Sequence, residues 1–143
     1  MCYSLYLSTS SSEDLAGHNS ELLRLARLDG TEPEGADLLR NQERWYVGSK
    51  SGCSCTFRHL FSVELGFGEP VDWYPEDDGE VRATAELYRV IVRLIAQGHQ
   101  VDCLDLWTGA PKGDLKELVV DVQEVSEKAF RLFENYHFVF HGK

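Results

Sequence analysis

The stretch Cys-Thr-Phe-Arg-His-Leu-Phe-Ser-Val-Glu-Leu-Gly-Phe, residues 55–67, decides the fold. With a period of two, Phe57, Phe61, Val63, Leu65 and Phe67 line one face and Thr56, Arg58, Ser62 and Glu64 the other, the pattern of a half-buried strand. Phe57, Leu60, Phe61 and Leu65 also satisfy helical spacing, so periodicity alone leaves both open. A strand fits its surroundings better. Just before it Arg44–Val47 alternates too, with Trp45 and Val47 on one side, and a Gly/Ser turn separates the two runs. Antiparallel pairing of these strands turns His59 inward among the aromatic side chains.

Outward from this pair the other elements follow. Residues 2–8 alternate, with Tyr3, Leu5 and Leu7 opposite Ser4, Tyr6 and Ser8. Ser11 with Asp14 is a loose capping box, and Leu15, His18, Leu22, Leu25 and Ala26 follow at helical spacing, which predicts a helix ending at Asp29-Gly30. His18 then reads as a packed side chain on the apolar face. A short helical turn fits within 36–42. The longest helix is predicted over 81–95, where Val81, Thr84, Ala85, Tyr88, Ile91, Val92 and Ile95 share a face, Asp77 and Glu80 form the cap and Gly98 the stop.

Val101–Trp107 is predicted as a strand with Asp102 and Asp105 as its polar members. A turn at 109–113, a strand over 118–122, a short helix from Ser126 to Phe133 and a last strand, Tyr136–His141, complete the chain. The order β-α-β-β-α-β, then β-α-β, predicts a single α+β domain over residues 1–143. Its form would be a two-layer sandwich, a mostly antiparallel sheet with helices on one face, ferredoxin-like in its first six elements with a C-terminal β-α-β extension.

A formal charge of −10 and a pI near 4.9 oppose the cationic grip that holds nucleic acids or anionic membranes, so neither is expected as a partner. The absence of a long apolar run and of a basic, apolar leader predicts a cytoplasmic protein. Four cysteines in 143 residues are too few for a disulfide-built scaffold, and Cys2 and Cys103 read as packing residues.

Small residues, cations and thiols crowd together in 47–59. Gly48 to Gly52 make a tight turn whose backbone N–H groups, with Ser49, Lys50, Ser51 and Arg58, form a candidate small-anion site. Cys53 and Cys55, a Cys-x-Cys pair, are the candidate catalytic thiols of a redox protein. With His59 they are also a candidate metal set, though a closed zinc site wants a fourth ligand. The plain alternative is a hairpin turn over two packed thiols.

Acyl transfer is not expected, because along an extended strand His59 stands about 13 Å from Cys55 and about 20 Å from Cys53. His137 and His141, about 13 Å apart on one strand face, do not share a metal. The glycine signatures of hydrolases and nucleotide-binding proteins are missing, and no cofactor is called for.

The core of this stretch, Gly-Cys-Ser-Cys-Thr-Phe-Arg, resembles a loop of small uncharacterised bacterial proteins, a likeness confined to Gly48–His59 and the aromatic C-terminus. It implies no activity, substrate or cofactor. A second candidate surface is the acidic segment Glu69–Glu80, which surrounds Trp73 and Tyr74 with six carboxylates and no Lys or Arg. The segment is either a solvated loop pinned to the core by its two aromatics or a docking surface for a basic protein. Binding rather than catalysis is the overall expectation, with a small anion or a basic protein as partner.

Overall fold

The period-two runs at 2–8 and 44–47 form strands, Tyr3–Thr9 and Glu43–Ser49, and the apolar stripe of 81–95 lies in a helix, Asp78–Ala96. The computed structural model describes residues 3–28, 38–49, 53–60, 64, 66–73, 75–107 and 115–142. It contains strands β1 (Tyr3–Thr9), β2 (Leu23–Arg27), β3 (Glu43–Ser49), β4 (His59–Leu60), β5 (Val101–Trp107), β6 (Lys116–Asp121), β7 (Leu132–Phe133) and β8 (Tyr136–His141), with one α-helix, α1 (Asp78–Ala96), among the described residues. Six strands form one sheet in the order β2-β3-β1-β5-β8-β6, antiparallel except for the β8–β6 pair, while β4 and β7 pair parallel in a second, small sheet. The class is therefore α+β.

Helix α1 begins where Asp77 accepts a hydrogen bond from the Glu80 N–H at 3.1 Å, and it stops before Gly98, whose φ of 90° suits glycine. Its buried residues Thr84, Leu87, Tyr88, Ile91 and Leu94 follow the i, i+3, i+4 rule. Ala83, Leu87, Tyr88, Ile91 and Leu94 join one core with Leu5 and Leu7 of β1, Trp45 and Val47 of β3, Cys103 of β5 and Phe138 and Phe140 of β8. Alternation sends Tyr6 and Leu104 to the opposite face, where they pack with Leu39 in a second apolar cluster.

Among the described residues three expected elements are not formed as read, each for a local polar reason. Residues 11–26 hold no α-helix: a single 3-10 turn, Leu15–His18, is followed by β2. Ser11 and Asp14 cap only that region, while the Asn19 side chain binds both the N–H and the C=O of Leu25 and Ser20 Oγ accepts from Leu22 and Leu23. Short polar side chains thus take the backbone groups a helix would use, and Leu23 and Leu25 point inward as a strand. The ferredoxin-like order lacks its first helix as a result.

Second, among its described residues the decisive stretch contributes β4 alone, paired with β7 rather than with β3; residues 61–63 and 65 lie outside the described set. Consecutive Phe57 and Arg58 are both buried, which breaks the alternation, and the Arg58 N–H goes to Thr84 Oγ1 instead of a ladder. Third, Ser126 opens one turn and no helix, since its carbonyl accepts from Ala129 and Phe130 before the chain extends into β7. The expected turn at 109–113 lies outside the described residues, as does part of 36–42.

Candidate functional site

Ser54 fixes the centre of the 47–60 region. Fully buried, its Oγ accepts from the Leu5 N–H at 3.0 Å and donates to the Val47 carbonyl at 2.6 Å, so it bridges β1 and β3 beyond their ladder. Ser49 donates through both its N–H and its hydroxyl to the Cys53 carbonyl, each at 2.7 Å. Cys53 and Cys55 flank Ser54 and are half-buried; Cys103 is wholly buried, and burial, reinforced by the charges of Asp102 and Asp105, pushes its thiol pKa well up. Lys50 and Ser51 lie outside the described residues.

The chain bends at residues 53 and 54, so the ring of His59 returns to the Ser54 carbonyl through Nε2. Its Nδ1 meets Asp105 Oδ2 at 2.8 Å, and Tyr3 stacks flat on the imidazole with centroids 3.8 Å apart. His59 therefore does face inward among aromatic rings. Both of its ring nitrogens are engaged, which takes it out of the expected Cys53/Cys55/His59 metal set, and no group of three or more metal-ligating side chains occurs among the described residues.

Arg58 is also placed differently from the anion-site expectation. Its side chain is 1% exposed, and all five guanidinium N–H groups have protein acceptors: both carboxylate oxygens of Glu76 and the carbonyls of Lys128, Phe130 and Gly68. No N–H remains for an anion. Burial alone would raise the Glu76 carboxyl pKa, but the bond and charge of Arg58, with Arg131 behind them, outweigh it and hold the group below the usual carboxylate range. Arg131, likewise buried, reaches Glu76 at 3.4 Å and the Gly66 carbonyl at 3.1 Å.

This buried clamp shapes the acidic segment. Glu76 is not a solvated member of it, and Asp77 caps α1. Between the gripped carbonyls of Gly66 and Gly68 and the gripped carboxylate of Glu76, the chain leaves Glu69, Pro70, Val71, Asp72 and Trp73 exposed. Trp73 is 73% exposed and Val71 38%. Tyr74 lies outside the described residues.

The two acids of β5 turn out to be buried, each paired with a histidine on its own side of the sheet. Asp105 holds His59 on the α1 side, and Asp102 holds His137 on the other, with His137 Nε2 2.6 Å from Asp102 Oδ2. Asp102 also accepts from Ser8 Oγ, from Asn41 Nδ2 at 3.1 Å and from the Arg40 N–H at 2.9 Å. Burial opposes its charge, yet the bonds from His137, Ser8 and Arg40 prevail and keep its pKa low. A signal for these pairs stood in Val-Asp-Cys-Leu-Asp-Leu itself, because acids among buried apolar neighbours require partners. Two shallow clefts lie along α1, one of about 230 Å³ beside His18, Glu86, Arg89 and Arg93 and one of about 340 Å³ beside Val92, Ala96, Val122 and Val125; neither includes a residue of 47–60.

No helix among the described residues is long and apolar enough to cross a membrane. Comparison of the chain with protein-family models, with curated proteins and with solved structures found no match.

Proposed function

We propose that this chain is a binding module that docks a basic protein on its 69–78 loop. The observation that carries the proposal is the 73% exposure of Trp73 on a loop whose ends are both locked into a buried ion cluster. An aromatic ring this exposed offers apolar area for a partner to bury, and a loop fixed beforehand loses little conformational entropy when it docks. Exposed Val71 adds apolar area beside the ring, while Glu69, Asp72, Asp77 and Asp78 surround it with negative charge that selects a cationic partner. The small-anion alternative is weaker, because Arg58 spends every donor on the clamp and Ser49 bonds Cys53.

Random peptides displayed on phage and selected on the native protein test the proposal. The selected peptides should be rich in Lys and Arg, bind less tightly as salt is added, and lose about 30-fold in affinity on Trp73→Ala, the loss of an aromatic hot spot worth about 2 kcal/mol. Selected peptides without basic bias, or ones that bind Trp73→Ala equally well, overturn it.

A further inference from the structure

We infer that His137 accepts a phosphoryl group at Nδ1 from donors of the phosphoramidate class. The site lies on the face of the sheet turned away from α1 and is distinct from the loop at 69–78.

His137 stands on β8 in register with Leu104 of β5 and Glu117 of β6. Its Nε2 lies 2.6 Å from Oδ2 of Asp102, a carboxylate that is 1% exposed and that also takes the Ser8 hydroxyl, the Asn41 amide and the Arg40 N–H. An ionised carboxylate only accepts, so Nε2 carries the hydrogen, and in the neutral ring Nδ1 keeps a lone pair. The buried side-chain polar atoms without a partner among the described residues are Trp45 Nε1, Asp105 Oδ1 and Arg131 Nε. Nδ1 of His137 has no partner either, in a side chain that is 12% exposed, and is therefore open to solvent. One ring nitrogen is fixed in the interior and the other is left to react. His59 makes the contrast, with both nitrogens engaged inside the protein.

A phosphoryl group on Nδ1 makes the ring a cation, because Nε2 keeps its hydrogen. The Asp102 carboxylate meets that charge through a charge-assisted hydrogen bond that is already in place. Glu117, beside His137 on the next strand, would repel a phosphoryl group, but Arg40 is paired with it. Nε and Nη1 of Arg40 have no acceptor among the described residues, and a guanidinium suits phosphoryl oxygens.

The transfer runs from nitrogen to nitrogen and balances without a further reactant. The donor nitrogen is protonated at the start. The Nδ1 lone pair forms the new N–P bond, the P–N bond of the donor breaks, and its electron pair leaves with the nitrogen as a neutral amine. Nothing is oxidised or reduced, and the positive charge passes from the donor nitrogen to the imidazole ring.

Phosphoramidate applied to the native protein, followed by peptide mapping in alkali, which preserves phosphohistidine, tests the inference. His137 should be phosphorylated about 10-fold faster than His141, an exposed histidine on the same strand, since a charge-assisted bond favours the product ring only at 137. In urea-unfolded protein the two should react alike. Asp102→Asn, checked for an unchanged urea midpoint, offers Nε2 an N–H and so favours the other tautomer; it should slow His137 about 10-fold and leave His141 as it was. Where that variant does not fold, the comparison of native with unfolded wild type decides alone. A native protein whose His141 reacts as fast as His137, or a folded Asp102→Asn protein that reacts at the wild-type rate, overturns the inference.

Discussion

His59 and Asp105 share a proton in the interior, with Nδ1 and Oδ2 2.8 Å apart and side chains 3% and 0% exposed. The other ring nitrogen faces the Ser54 carbonyl, which only accepts, so Nε2 carries hydrogen. The contact with Asp105 then contains one further proton, whichever atom holds it. Burial opposes the imidazolium, but the charge and hydrogen bond of Asp105 and the Ser54 carbonyl outweigh it, and the His59 pKa rises; burial likewise raises that of Asp105, only partly offset by His59.

A pH dependence follows. The folded protein holds a proton that the unfolded chain releases above about pH 6.5, so stability is full below that pH and declines as pH rises through the folded His59 pKa, by at most about 1.4 kcal/mol per pH unit. On the acid side Asp102 and Glu76, both held low, contribute stability that is lost as pH falls below about 4. Urea unfolding of wild type and His59→Gln across this range should show the alkaline decline in wild type alone. Parallel curves above pH 6.5 would mean that the pair does not retain the proton.

The clamp makes a quantitative contrast with surface ion pairs. Glu76→Gln leaves the buried guanidinium groups of Arg58 and Arg131 without a countercharge and should cost about 3–5 kcal/mol. Glu117→Gln breaks the pair with Arg40, whose side chains are 46% and 52% exposed, and should cost under about 1 kcal/mol. Equal losses in denaturant titration would remove the clamp as a stabilising element.

Asp102→Ala strips four donors of their acceptor at once and should destabilise by about 2–4 kcal/mol. The effect should be local as well as global. Since Asp102 receives the Arg40 N–H and Ser8 receives that of Asn41, hydrogen exchange at those two amides should accelerate more than at the centre of α1. Unchanged protection at 40 and 41 would show that other contacts hold this segment to the sheet.

Elements that depend on their own periodicity were legible in the sequence: α1 with its Asp77 cap, and the strands β1, β3, β5 and β8. The failures lie where one side chain overrides the pattern. Asn19 and Ser20 satisfy backbone groups from the side, and Arg58 goes inward although the alternation assigned it to solvent. The sites divide in the same way. Cys53, Cys55 and Trp73 stand out as residue types, but the roles of Arg58, Asp102 and Asp105 come from partners between 10 and 94 residues distant, which local spacing does not carry.

β1 is made before every other strand described, yet it lies between β3 and β5 in the sheet. Its pairing with β3 closes early. The opposite side stays open until Val101–Trp107 has left the ribosome, since Ser8 and Asp102, which bond across the β1–β5 ladder, are 94 residues apart. At ordinary elongation rates that interval lasts about 5–20 s. Until then the nascent chain displays one open edge of a strand carrying Leu5, Tyr6 and Leu7, a template on which the chain of a neighbouring ribosome can pair. Yield on expression should therefore depend on translation speed and on holding chaperones more than the stability of the finished protein would indicate.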